Sequence, residues 1–207
     1  MALAAVLALS CSSTPTGPRF TPTIHRTTAI VVHDSLGVPA DGATVRLVAE
    51  FDSAGIAPVI LVTTDVAGVA STVLAQGPWG VHALASGGFR MVAGASFIVP
   101  GSARPEIDTV LVRLTLHTAS VARGRVLLAG RTEHGGTIVA CPPSPEVIVT
   151  DSSGAFALDL LPLGRWTITS YQLGFRLGLA NINLTAPGDT LTVADVHLVS
   201  HPIPNAR

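Results

Sequence analysis

Seven histidines, thirteen carboxylates and two cysteines are the groups in this 207-residue chain with the chemistry to act on a substrate or hold a metal. A catalytic zinc site of the peptidase kind needs a His and a Glu three residues apart, so that both reach one ion. None of His25, His33, His82, His117, His134, His197 or His201 has Glu at that spacing, and no H-E-x-x-H occurs. There is no G-x-S-x-G elbow and no glycine-rich loop with a lysine to cradle phosphate. Asp151-Ser152-Ser153-Gly154 carries too few carboxylates for a calcium loop and reads as a turn cap. The expectation is therefore a protein that is not an enzyme and that needs neither metal nor cofactor. The histidines are expected on strands, solvated or hydrogen-bonded.

Aromatic rings are the remaining chemistry, because sugars stack their apolar faces on exposed rings. Trp79, Trp166, Tyr171, Phe89 and Phe175 are the candidates. Trp79 and Trp166 each open a strand after a glycine-containing turn, and equivalent placement points to a core role. Tyr171 and Phe175 flank Gln172-Leu173-Gly174 in an expected loop, so they are the candidate rim of a ligand site.

The elements that position these residues repeat. Thr150-Asp151-Ser152-Ser153-Gly154 is a tight turn: Asp151 caps the backbone two residues on, and Gly154 supplies a positive φ. Phe156, Leu158 and Leu160 then alternate with Ala155, Ala157 and Asp159 as one buried strand face. Leu161-Pro162-Leu163-Gly164 turns the chain into Trp166-Thr167-Ile168-Thr169. The same punctuation stands earlier. Asp65 and Gly68 precede the strand Val69–Ala75, Gly77-Pro78 leads to Trp79, and Gly42 aligns with Gly135. The offset is roughly 90 residues, the size of one small sandwich domain.

Two domains follow, over 25–116 and 117–200, each with seven short strands. The expected strands of the first are Ala29–His33, Thr44–Glu50, Pro58–Thr63, Val69–Ala75, Gly80–Ala85, Met91–Val99 and Thr109–Leu116. Those of the second are Ala122–Leu128, Thr137–Cys141, Glu146–Thr150, Ala155–Leu161, Trp166–Tyr171, Arg176–Leu184 and Thr190–Leu198. The fold class read from this is all-β: two tandem antiparallel seven-stranded β-sandwiches of immunoglobulin or transthyretin type. His117 to Ser120 forms a junction without Pro or Gly, which restricts the angle between the halves. Residues 201–207 read as a frayed tail.

The formal net charge of −1, with 12% charged residues, excludes the basic stripe of a nucleic-acid binder. Mean hydropathy is high at +0.54. However, the longest charge-free run, Val66 to Phe89, is crossed by Gln76, Gly77, Pro78 and Gly80 and alternates like strands. At the N-terminus the apolar run Met1–Ser10 ends at Cys11, and Ser12-Ser13-Thr14-Pro15 follows. This resembles a bacterial lipoprotein signal, which implies cleavage before Cys11 and lipid on its thiol. Residues 1–11 are then signal and lipidation site, and 12–24 a Pro/Ser/Thr linker. Cys141 is left without a partner for a disulfide.

In the second domain the anchors Gly124-Arg125-Val126, Gly135-Gly136-Thr137, Thr150 to Phe156, Leu161 to Trp166 and Val193 to Leu198 resemble the carboxypeptidase regulatory-like domain. That family is a transthyretin-like, carbohydrate-binding-like sandwich, with a core Tyr where this chain has Trp166. The first domain is similar to it more loosely and to neighbouring immunoglobulin-like classes. Enzymes on similar sandwiches need two Tyr and two His for iron, or a Tyr-Arg-Gly-Ser tail. This chain has only Tyr171 and ends Pro204-Asn205-Ala206-Arg207. The resemblance implies an exported, lipid-anchored protein of the outer membrane or cell surface, serving as spacer or adhesion module. Its partners would be the membrane, envelope proteins or glycans. The second reading is a module binding a starch-like polysaccharide, and the third an accessory chain of an enzyme or a degenerate hydrolase.

Overall fold

A computed structural model of the chain describes residues 24–49, 58–85, 90–101, 109–142 and 144–201. The signal segment with Cys11, the linker up to residue 23, residues 50–57, Phe89 and the tail beyond His201 lie outside the described residues. No helix occurs among those described.

The first half comprises β1 (His25–His33), β2 (Thr44–Ala49), β3 (Val59–Thr63), β4 (Val69–Ala75), β5 (Gly77–Leu84), β6 (Met91–Val99), β7 (Thr109–Thr115) and the short β8 (His117–Thr118). The second comprises β9 (Ser120–Leu128), β10 (Ile138–Ala140), β11 (Val147–Val149), β12 (Ala155–Leu161), β13 (Gly164–Tyr171), β14 (Gly178–Leu184), β15 (Thr190–Thr192) and β16 (Val196–Leu198). The sheets correspond. β4-β1-β7 in the first half matches β12-β9-β15, with β16 also on β9, in the second. Likewise β3-β2-β5-β6-β8 matches β11-β10-β13-β14. Period-2 patterning explains the pairing of sheets into sandwiches. Ile30, Leu74 and Val112 of one sheet meet Leu47, Trp79 and Val81 of the other in a first core. Leu158, Val126 and Val196 meet Val139, Trp166 and Ile168 in a second.

Three expectations need correction. The sheets are mixed rather than antiparallel, because late strands of each half run parallel to its first: β7 on β1, and β15 and β16 on β9. Alternation of side chains is the same in both directions, so the sequence could not carry this. The expected strand Thr190–Leu198 breaks at residues 193–195 into β15 and β16. Leu160 does not continue the buried face of Phe156 and Leu158. The register against β9 shifts between Leu158 and Leu161, and Leu160 takes φ 54°, the one positive φ at a non-glycine among the described residues. This bulge turns Leu161, fully buried, into the core in place of Leu160.

Candidate functional site: the seam between the halves

The turns that set up the site are built alike in both halves. Asp65 Oδ1 accepts hydrogen bonds from the N–H groups of Ala67 and Val69, each at 2.9 Å. Asp151 Oδ1 accepts the same pair from Ser153 and Ala155, at 2.9 Å each. Hydrogen bonding from Ser153 and Ala155 holds the exposed Asp151 carboxyl below its ordinary pKa. Thr64 and Thr150 are a further matched pair. Their hydroxyls accept from the N–H of Ala43 (2.8 Å) and Thr137 (3.0 Å) and donate to the carbonyls of Ala40 and His134. Gly42 and Gly136 each donate N–H to those threonines' carbonyls, at 3.1 Å. The structural equivalent of Gly42 is therefore Gly136, not Gly135. A sequence alignment by glycine alone misses by one residue, because Gly135 serves a different purpose: a Cβ there would lie 2.9 Å from the Asp151 carbonyl.

Both tryptophans are buried, and their indole N–H groups donate to the carbonyl four residues back. Trp79 Nε1 lies 2.9 Å from Ala75 O, and Trp166 Nε1 lies 2.9 Å from Pro162 O. The N–H is thereby satisfied inside the core, as a buried indole requires. Gly77 and Gly164 hold the tight turn before them at φ 130° and 121°.

The corner formed by Leu160, Pro162 and Trp166 does more than close the second sandwich. It packs on the outer face of β5 and β6 of the first. A Cβ on Gly94 would lie 2.6 Å from Pro162 Cγ and 3.1 Å from the Trp166 ring, so only glycine admits this approach. The carbonyl freed by the Leu160 bulge meets His82 Nε2 at 3.0 Å. His82 lies on the face of β5 opposite its own core, yet is 1% exposed. Val92, on the same face of β6, is also 1% exposed and belongs to neither core. At the rim Arg90 is paired with Asp159, both partly exposed, and Arg46 Nη1 donates to Ser144 O at 3.4 Å. Burial lowers the pKa of His82; the hydrogen bond to the Leu160 carbonyl opposes this in part, and the nearby Arg46 charge adds a still smaller lowering. A neutral imidazole bonded to a carbonyl carries its proton on Nε2. Burial also raises the pKa of Glu146, beside Asp159.

The residues singled out as a binding rim are not brought together into a platform. Tyr171 is half-exposed on the outer face of β13, whereas Phe175 is partly buried against the second core and bridges to Ser200. A shallow concavity of about 440 Å³ lies beside Phe175, with Arg131, Glu133 and Gln172 on its walls. A larger open groove, about 730 Å³, runs between the free edge of β14 and the β15–β16 segment. Cys141 is buried, and desolvation pushes its thiol up to about 12, far from a reactive thiolate. Among the described residues no group of three or more His, Cys, Asp or Glu side chains could hold a metal ion. Sequence reasoning missed His82, Gly94 and Leu160. The signal available was a histidine facing away from the core of an otherwise apolar strand.

No family model matches the chain, and no curated protein matches it. Among solved structures it is similar to GBS52, the minor pilin of Streptococcus agalactiae, at 15% identity. That match covers 88% of this chain and 99% of the pilin, with a TM-score of 0.39. The shaft pilin SpaA of Lactobacillus rhamnosus GG is 12% identical over 87% of this chain and all of the pilin, at TM-score 0.32. The Bacillus anthracis TIE protein is 14% identical over 84% of this chain and 34% of its own, at 0.33. At these scores the likeness carries no argument about function.

Proposed function

We propose that this chain is a non-enzymatic module of the cell envelope: two β-sandwiches locked to each other, acting as a spacer or adhesion unit, exported and tethered by lipid on Cys11. The observation that carries this reading is the seam. A buried His82–Leu160 hydrogen bond, a glycine-only contact at Gly94 and the Arg90–Asp159 pair hold the halves in one arrangement. A fixed arrangement is what a spacer needs and what a flexible tandem lacks. The turns beginning at Asp65 and Asp151, with Gly68, Gly154, Pro162 and Gly164, act as scaffold in this reading.

A glycan platform finds no support in the aromatics. The rings of Trp79 and Trp166 belong to the cores, and Phe175 is partly committed to the second. Among the described residues no pair of exposed rings then remains, only the half-exposed Tyr171. The tether is tested by Cys11→Ala: the variant should leave the membrane fraction and appear in the soluble one. A variant retained in the membrane fraction would defeat the lipid anchor.

A further inference from the structure

His82 is a titratable side chain shut inside a contact that neither sandwich needs for its own core. It is 1% exposed on the outer face of β5, and its Nε2 bonds the Leu160 carbonyl of the other half at 3.0 Å. Neither His82 nor the adjacent Val92 belongs to either core. The first core closes behind β5 with Trp79, Val81 and Ala83, and the second behind the corner with Leu161, Trp166 and Ile168. Both cores would therefore stay closed if the halves parted. The halves are joined at Ala119, the single residue between β8 and β9.

We propose that the seam is an acid-released latch: when His82 becomes an imidazolium, the two sandwiches part and pivot about Ala119 while each keeps its core. The neutral ring has one N–H, and the Leu160 carbonyl takes it. Charging adds an N–H on Nδ1 and a full positive charge where water is excluded, which costs far more than burying a neutral polar group. The charged groups of the seam do not answer that charge. β2 brings Arg46, and the segment before β6 brings Arg90. β12 brings Asp159, already paired with Arg90. The segment before β11 brings Glu146 and the Ser144 carbonyl, to which Arg46 donates. β8 brings a second titratable ring, His117, opposite Val92. Val92 and Gly94 of β6 and Pro162 and Trp166 of the corner add no charge. Two cations and two carboxylates balance while His82 is neutral, and the imidazolium leaves a cation in excess. Parting the halves returns the ring to water. Glu146 opposes release in part, because protonation relieves its own burial in the closed state. The module is then stiff at neutral pH and hinged in acid. Release presupposes the locked seam of the proposed function and is independent of the lipid tether.

Small-angle X-ray scattering of the full chain over a descending pH series that starts above 6.5 tests it. Near-ultraviolet circular dichroism on the same samples reads the packing of the cores. The wild type should be compact at the start and gain radius of gyration as the pH falls. Its near-ultraviolet signal should not change, and neutralisation should restore the compact form. Below 6.5 and above the depressed value of the buried ring, the ratio of open to closed should rise about tenfold per pH unit, the uptake of one proton. His82→Gln, which keeps a donor for Leu160 and cannot charge, should stay compact throughout, whereas His117→Gln should open as the wild type does. Opening of His82→Gln, or loss of opening in His117→Gln, would overturn the assignment to His82. A wild type already extended above 6.5 would deny the locked seam itself; one that is compact there and remains so would deny the release alone. Expansion with loss of the near-ultraviolet signal would be ordinary acid unfolding and would also overturn it. Should His82→Gln fail to fold, proton NMR of the His82 ring in the wild type decides. Titration of that ring should coincide with the expansion, and a ring that charges with no change in size would sink the latch.

Discussion

At the scale of the residue, two glycines of similar backbone conformation separate what φ demands from what space demands. Gly154 has φ 83° and Gly174 has φ 85°. A Cβ at Gly174 would meet nothing within 4 Å, whereas one at Gly154 would collide with the Val126 carbonyl and lie 2.9 Å from the His134 side chain. Gly174→Ala should cost about 1 kcal/mol from the left-handed conformation alone. Gly154→Ala should cost well above that, since the Val126 carbonyl belongs to a strand that cannot retreat. Urea unfolding of both variants checks the ranking, and equal costs would mean that the turn relaxes freely. The Asp and Gly of this turn were legible in sequence because their roles are local. The collision with Val126 was not, since it joins residues 28 positions apart.

At the scale of the element, the Leu160–Trp166 corner serves two neighbours. Trp166 fills the second core and also rests its ring edge on Gly94. Trp166→Ala should destabilise the second half by about 3–5 kcal/mol through the cavity left behind. It should also loosen the seam, an effect that truncating Trp79 should not share, because Trp79 faces the first core on the side of β5 away from the seam. Thermal unfolding of the full chain is the right measurement, since removing the first half would itself uncover the edge of Trp166. A loss of stability near zero, with ready quenching of the Trp166 fluorescence, would contradict the core assignment. Sequence placed both tryptophans at strand starts and on core faces. It did not disclose the bulge, because Leu-Asp-Leu-Leu fits either register and only packing chooses Leu161 over Leu160.

At the scale of the whole molecule, the seam makes stability depend on pH. His82 is held neutral by burial, so its folded pKa lies below the ordinary 6.5. Its contribution is complete above 6.5 and is lost as pH falls from there through the depressed folded value, because the unfolded chain takes up the proton first. Glu146 acts in the opposite sense. Its raised pKa makes the folded state the better proton acceptor just above 4.5, which offsets part of the loss at the acid end. The melting temperature should therefore fall as the pH drops below 6.5. His82→Gln, which keeps a donor for Leu160 and cannot charge, should flatten that limb; an unchanged slope would remove His82 as its cause. The two cores also predict that residues 118 to 200 fold alone with a cooperative transition, read by circular dichroism in urea. Absence of a transition would mean that the halves stabilise each other across the seam.

By itself the sequence determined what depends on neighbours along the chain. These are the strand spans to within a few residues, the Asp-Gly turns, the matched punctuation of the two halves and the lack of any peptidase zinc motif. Period-2 alternation, turn chemistry and the repeat are all local or self-similar, so they survive without coordinates. Only the tertiary structure decided the direction of the late strands that return to the first strand of each half, the one-residue shift that matches Gly42 to Gly136, and the seam. Direction leaves no mark on alternation. The seam depends on His82 and Leu160, Gly94 and Pro162, Arg90 and Asp159, pairs 68 to 78 residues apart whose meeting is a consequence of how two finished sandwiches pack.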